Sequence, residues 1–444
     1  MASRAGSSLL KVLGVAFGVA VIVGNTIGTG ILRTPGDIAA ALPRPALYLG
    51  MWIAGGVWAL LAALTMAELG AMIPRSGGQY VFARRALGEY PGFVVGWSDW
   101  ISSCASLAAG ALAIGEFSGG LAPALASRGA AVAAAVVLGF TALQWIGVRT
   151  ADRTQQVVSL LKTLALGGLV VVCFALPHAT RAPAAAALLP VGLPLLTALV
   201  VSLQGVIFTY DGWNGMLYFG GEVREPGRDI PRAMAGGVVV VMAVYVALNL
   251  AFLHVLPLTR MAHEPLVAGA AAAAIFGPRG DHVLRAIMIV SLLGAANAIL
   301  MIASRVPYAM GADRLAPAVM ARVNAGGTPT VALLASAAVA LALLLTGTFA
   351  TVLALAAFFF VLNYAASFAS LFVLRRREPG VARPYRAVGY PWLAGLLLLN
   401  SVAFLVANVV GDTRNSLRSL ALLGFSYPVF LAIRWRRRLV AEGR

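Results

Sequence analysis

Two stretches of this chain carry groups able to bind a small polar molecule, and both lie inside apolar runs. Residues 21–32 read VIVGNTIGTGIL, with Gly28, Thr29 and Gly30 together. Residues 208–214 read FTYDGWN, with glycines at 205, 212 and 215 around an acid, Asp211. Glycine weakens a helix because it loses most freedom on folding and leaves backbone exposed. In hydrocarbon an unpaired backbone group is costly, so a broken helix persists only where it lines a cavity or is buried in protein. For the first stretch alone, a small-residue packing face of the GxxxG kind explains the pattern equally well. The second stretch breaks the tie. Asp211 at bilayer depth is unreasonable on an intact lipid-facing helix and reasonable at an unwound segment facing a cavity.

Two interrupted helices define a chemistry. A helix N-terminus presents free N–H groups and partial positive charge, which suit a carboxylate. A C-terminal end presents free carbonyls, which suit an ammonium or a cation. An α-amino acid carries both groups on one carbon, so the backbone matches it without charged side chains. Thr26, Thr29 and Thr209 add small polar contacts, and Phe208 can cover the ligand's side chain.

Other ionisable residues fall inside apolar runs. Asp99 lies about two turns from a helix end, within reach of interfacial water; structural hydrogen bonding is the plainer reading for it and for Glu116, and ion coupling the sharper one. Lys162, in VVSLLKTLAL, reads on position alone as a side chain snorkelling to the surface. The competing reading is an ammonium aimed at a polar cavity. Asn297 reads as an interhelical hydrogen bond, and Phe358, Phe359, Phe360, Asn363 and Tyr364 read mainly as packing.

The elements that position these residues follow from composition. Hydrophobic residues make up 60% of the chain, charged residues 11%, and mean hydropathy is +0.89, which excludes a water-soluble globular domain. A bilayer core of ~30 Å takes about 20 apolar residues per helix. About twelve such runs occur, near 12–33, 45–72, 91–118, 130–149, 154–177, 193–220, 233–256, 283–309, 329–347, 350–374, 390–410 and 416–435. The expected fold is an all-α polytopic membrane protein. The breaks fall in runs one and six, each opening a set of five, and interrupted segments at corresponding positions point to an inverted-repeat transporter with a central site. Residues 12–177 would form the first repeat, 193–374 the second, and 390–435 two accessory helices, with tails at 1–11 and 436–444.

The net charge of +17 tracks topology. With the N-terminus inside, the cytoplasmic segments, among them Arg84-Arg85, Arg305, RRREPGVARPYR and RWRRR, hold more than twice as many Lys and Arg as the outer ones. This fits the positive-inside rule with both termini cytoplasmic, and not a nucleic-acid footprint. The first run reads as a retained helix, not a signal peptide. Cys104 and Cys173 sit within spans, so no disulfide framework is expected. His178, His254, His263 and His282 lie at outer ends or loops without metal-ligand spacing. No cofactor, metal or catalytic residue is expected. From another class, a sensor or a channel with a transporter-like fold is the alternative; bulky Phe208 and Tyr210 argue against a channel's continuous pore, and a six-plus-six parallel-repeat transporter would not need the two breaks.

GNTIGTGIL resembles the first-helix signature of the amino acid–polyamine–organocation superfamily, and FTYDGWN the sixth-helix segment of its L-type amino acid transporters. AELGAMIPRSGGQYVFARRALG, PGRDIPRAM and RPYRAVGYP match further family segments in order. The resemblance implies transport of amino acids across the cytoplasmic membrane by alternating access, the expected substrates being neutral L-amino acids, as exchanger or proton-coupled symporter. It places the carboxylate site on Gly28, Thr29 and Gly30, and the amine site on Thr26, Ile27 and the backbone around Phe208, with Thr209, Tyr210 and Asp211 beside them. It makes Phe208 the gating aromatic. It aligns Lys162 with a lysine that stands where sodium-coupled relatives bind a cation; its ammonium would replace that cation and tie its helix to the unwound part of the first helix, so sodium dependence is not expected. Asp211 departs from the glycine of animal members, which keeps a cationic amino acid or polyamine as the alternative substrate. The loop around 122–131 lacks the cysteine that links an ancillary glycoprotein, so no such subunit is expected.

Overall fold

The computed structural model describes residues 9–176, 191–346 and 349–441. Most of the expected tail at 1–11, residue 177 of the first repeat, His178 and the end of the tail at 436–444 lie outside them. The described chain is helical. The helices are α1 (Val15–Thr26), α2 (Gly30–Ala41), α3 (Pro45–Met72), α4 (Gln79–Leu87), α5 (Glu89–Leu121), α6 (Gly129–Ile146), α7 (Val148–Ala175), α8 (Leu193–Thr209), α9 (Pro226–Val255), α10 (Leu258–Met261), α11 (Val267–Phe276), α12 (Gly280–Ala312), α13 (Thr330–Thr346), α14 (Phe349–Arg377), α15 (Trp392–Gly411) and α16 (Thr413–Ala441).

Among the described residues, nine helical segments are long and apolar enough to cross a membrane, or ten when the bent pair α1–α2 counts as one span; α8 and α13 are shorter apolar helices. The chain is therefore a polytopic membrane protein. Its outer surface suits lipid: Leu160, Leu161, Leu164 and Val171 of α7 are all more than half exposed. Prolines mark starts, with Pro45 and Pro226 in the first turns of α3 and α9, where the missing N–H has no intrahelical partner to lose.

The first break falls where the glycines put it. α1 stops at Thr26, α2 begins at Gly30, and the two axes differ by 53°. The span then runs on to Ala41, eight residues past the expected end, with Pro35 inside it. The second break is larger than expected. α8 ends at Thr209, residues 210–214 form turns, and a 3-10 segment covers Gly215–Tyr218, where the sequence pattern suggests helix to residue 220. Gly212 explains the departure: its φ of +111° is a conformation other residues adopt at a penalty. The freed backbone pairs elsewhere, as buried N–H and C=O groups must. Leu13 bridges Val223 and Ser76 bridges Phe219. The segment between α3 and α5 contains α4.

Packing sorts most helices into two groups, with α7 touching both and α1 also meeting α12. α1 and α3 pack along α9, whereas α5 packs along α12 and also meets α6, α13 and α14. The breaks lie between the groups.

Candidate functional site

The two breaks touch. Asn25 donates its Nδ2 to the Gly212 carbonyl at 3.3 Å. A Cβ on Gly212 would lie 2.9 Å from the Thr26 backbone nitrogen, so this contact as well as the positive φ calls for glycine. Tyr245 of α9 ties the breaks from behind: its hydroxyl lies 2.9 Å from the Thr26 carbonyl and 3.1 Å from that of Thr209. Thr34 and Thr209 hydroxyls meet at 3.0 Å.

In front of the breaks is a cavity of about 300 Å³. Its wall includes Thr26, Gly28, Thr29, Gly30, Phe208, Thr209 and Asp211 of the expected site. A Cβ on Gly28 would meet nothing within 4 Å, so this glycine leaves open space beside the first turn of α2. The amides that open α2 lack a carbonyl in the preceding turn, although that of Leu32 bonds the Thr29 carbonyl at 3.2 Å. The Thr26 hydroxyl, at the cavity, is buried and has no partner among the described residues. Asp211 accepts a short hydrogen bond from the Tyr364 hydroxyl, and Trp213 stacks on the Tyr364 ring at 5.1 Å. Phe208 is 38% exposed.

Three expected residues do not line the cavity. Ile27 is fully buried, and its carbonyl accepts from Lys162 at 2.7 Å and from Ser291 at 3.1 Å. With the Thr26 carbonyl held by Tyr245, both break carbonyls assigned to the amine site already have donors. Tyr210 is buried against Trp52 and Tyr245 and donates to the Trp52 carbonyl at 3.1 Å. Lys162 does not snorkel. It is 1% exposed and its Nζ donates to the carbonyls of Gly24 at 2.9 Å and Ile27 at 2.7 Å, the last turn and first break residue of α1. The carbonyls freed by the break are thus met by an ammonium, the arrangement in which burying that charge is tolerable.

The acids separate. Glu116 is exposed. Asp99 is 1% exposed and accepts from the Tyr218 hydroxyl at 2.9 Å, so it does not reach interfacial water. Arg305, counted among the cytoplasmic cations, is buried too: its guanidinium holds both oxygens of Glu222 at 3.1 and 3.0 Å. Arg84 and Arg85 pair with Asp313 and Glu378. Asn297 does bond between helices, to Gln155 and Gln144.

Sequence reasoning passes over Asn25, Asn214 and Tyr218 in the cavity wall, and Tyr245 behind it; Phe360 and Tyr364, which read as packing, also line the wall. Asn25 and Asn214 stand inside the motifs already singled out. Tyr245 leaves a fainter signal, a Tyr–Asn pair four residues apart on an apolar helix, where Asn249 donates to the Tyr245 carbonyl.

The amino acid permease family matches residues 8–427. The serine/threonine exchanger SteT of Bacillus subtilis is 27% identical, covering 97% of this chain and 98% of its own. The b(0,+)-type amino acid transporter 1 of Mus musculus is 27% identical over 91% of this chain and 84% of its own. The large neutral amino acids transporter small subunit 2 of Mus musculus is 30% identical over 86% and 73%. The chain belongs to the amino acid permease family, within the amino acid–polyamine–organocation superfamily.

Proposed function

We propose that this amino acid permease carries neutral L-amino acids across the cytoplasmic membrane by alternating access, without sodium, by exchange or together with a proton. The observation that carries this reading is the meeting of the two breaks at one cavity, Asn25 against Gly212, with the first turn of α2 in its wall. The substrate carboxylate would take the amides of Gly28, Thr29 and Gly30. Its ammonium would lie toward the Thr26 hydroxyl, unpartnered among the described residues, and the backbone at Phe208, with Phe208 closing over the side chain. Lys162, already bonded to Gly24 and Ile27, stands in for a cation, which supports sodium independence.

The proposed frame is twelve spans: α8 and α13 join the ten longer ones, and residues 12–177 and 193–374 form inverted repeats with 390–435 accessory. The excess of basic residues on one side supports both termini lying in the cytoplasm. The chain would work without a disulfide-linked ancillary subunit and without a cofactor. A cationic amino acid or polyamine is the second reading, favoured by the carboxyl of Asp211 in the cavity wall.

Counterflow in liposomes tests this. Purified protein is loaded with unlabelled neutral amino acid and given labelled amino acid outside in sodium-free buffer. Saturable entry, competed by other neutral amino acids and not by lysine or putrescine, is expected. Competition by lysine or putrescine alone would move the assignment to the second reading.

A further inference from the structure

Asp99 has no part in the substrate contacts, yet its surroundings are unusual. It sits on α5, buried, and one oxygen accepts from Tyr218 while Oδ2 has no partner among the described residues. No ion pair to Asp99 forms among those residues. The titratable groups facing it are Tyr218, from the segment after the second break, and Asp211 and Tyr364, across the cavity floor. Arg305 of α12 is committed to Glu222, and Tyr80 of α4 to Asp313. From α14, Asn363 accepts from Ser98 through Oδ1, while its Nδ2 is buried with no partner among the described residues.

A carboxylate so placed keeps its charge in low dielectric with one hydrogen bond and no counterion, which is expensive. A bound proton removes that cost. Tyr218 makes the link: its side chain is in the cavity wall and its hydroxyl is on Asp99. The bond also joins α5, which packs along α12, to the Tyr218 segment, which packs mainly on α1 and α9 and also meets α12. It therefore lies across a boundary that moves in any rocking cycle.

We propose that Asp99 binds a proton that travels with the substrate, and that Tyr218 passes it between Asp99 and the cavity. The Tyr218 phenolic proton moves to the Asp99 carboxylate as the phenol oxygen takes a proton from a hydronium ion in the cavity, which is left as neutral water. Asp99 becomes the neutral acid and Tyr218 is restored. After the cavity opens to the other side the transfer runs backward and the proton leaves there. One proton and one neutral amino acid cross together, moving one positive charge.

This rests on the transport reading, so the experiment measures the two separately. The full chain is reconstituted in liposomes with the potential clamped by potassium and valinomycin. Counterflow at equal pH reports substrate handling. Uptake into vesicles free of amino acid under an inward proton gradient, with an internal pH dye, reports coupling. For the parent, one pH unit supports about tenfold accumulation at one proton per substrate, with substrate-dependent acidification inside. In Asp99→Asn, counterflow persists and both gradient-driven signals are lost; Tyr218→Phe loses them as well, and Asp99→Glu recovers part. Parent counterflow without gradient-driven uptake, or full gradient response in Asp99→Asn, overturns proton carriage and leaves the transport reading standing. Absence of parent counterflow for every amino acid tested overturns both.

Discussion

The two ends of the central cavity are built differently. Toward the basic end, backbone closes it: Leu13 pairs with Val223, Ser76 with Phe219, and the Gly77 amide bonds the Tyr218 carbonyl at 3.0 Å. Side chains back this up. Phe17 meets Phe219 edge-on at 4.9 Å, and Arg305 covers the Phe219 ring while gripping Glu222. Toward α2 the wall instead runs out to exposed Arg33 and to Phe208, which keeps more than a third of its surface free. One end is sealed by a buried polar network and the other is lined by exposed side chains. A transporter at rest with its cavity open on one side needs this asymmetry, and the sealed end must be able to come undone.

The sharpest way to break the comparison is at Glu222. Glu222→Gln leaves Arg305 as a buried charge without its counterion, which costs about 3–5 kcal/mol. Thermal unfolding in detergent is expected to fall markedly, whereas Glu222→Leu with Arg305→Met recovers most of the loss, because apolar replacement of a buried pair is often neutral. Equal unfolding temperatures for Glu222→Gln and the parent would mean that the pair does not hold the seal. Next in size is Lys162→Met. It removes two charge-assisted bonds worth about 1.5–3 kcal/mol each, but also the buried charge whose desolvation opposes them, and it frees the carbonyls at the α1 break. Counterflow is expected to drop by roughly two orders of magnitude with a smaller loss of unfolding temperature; undiminished counterflow would make Lys162 a bystander.

Two glycines separate the fold of the site from its use. Gly212→Ala forces an L residue to φ +111° and drives a Cβ to 2.9 Å from the Thr26 nitrogen. The expected cost is about 1–2 kcal/mol from the backbone alone, seen as a lower unfolding temperature. Gly28→Ala meets open space, so stability should stay within about 0.5 kcal/mol while KM in counterflow rises. If Gly28→Ala destabilises as much as Gly212→Ala, the open space at Gly28 is not a property of the resting state.

The breaks are legible in the sequence because their signal is local: glycines and polar residues interrupting apolar runs. The class of fold is legible for the same reason, since apolar runs of span length are visible without any partner. What stays hidden depends on contacts across the chain. On position alone Lys162 resembles a snorkelling side chain, because a linear reading cannot show that carbonyls of residues 24 and 27 wait at the level of its ammonium; only the family resemblance points it at the first break. Arg305 reads as a surface anchor because Glu222, its partner, is 83 residues away. Tyr245 escapes notice because a tyrosine on an apolar helix has ordinary uses, and only the meeting of residues 26 and 209 gives it this one. The second break extends further than its own residues suggest because Leu13 and Ser76 supply backbone pairing that no nearby residue could.

The smallest effect tests whether the seal is truly internal. Arg85 grips Glu378 with two nitrogens, at 3.1 and 2.7 Å, at the same basic end, and by geometry alone it rivals Arg305. Its surroundings differ: both side chains keep a quarter or more of their surface. Water already solvates the charges there, and salt screens them, so such a pair contributes about 1 kcal/mol or less. Arg85→Ala should therefore shift unfolding slightly, with a difference that shrinks as salt is raised, and leave counterflow close to that of the parent. The contrast with Glu222→Gln is then one of burial and not of bond count. A loss at Arg85 as large as that at Glu222 would place the closure at the rim of the basic end, and the backbone bridges beneath it would be its consequence.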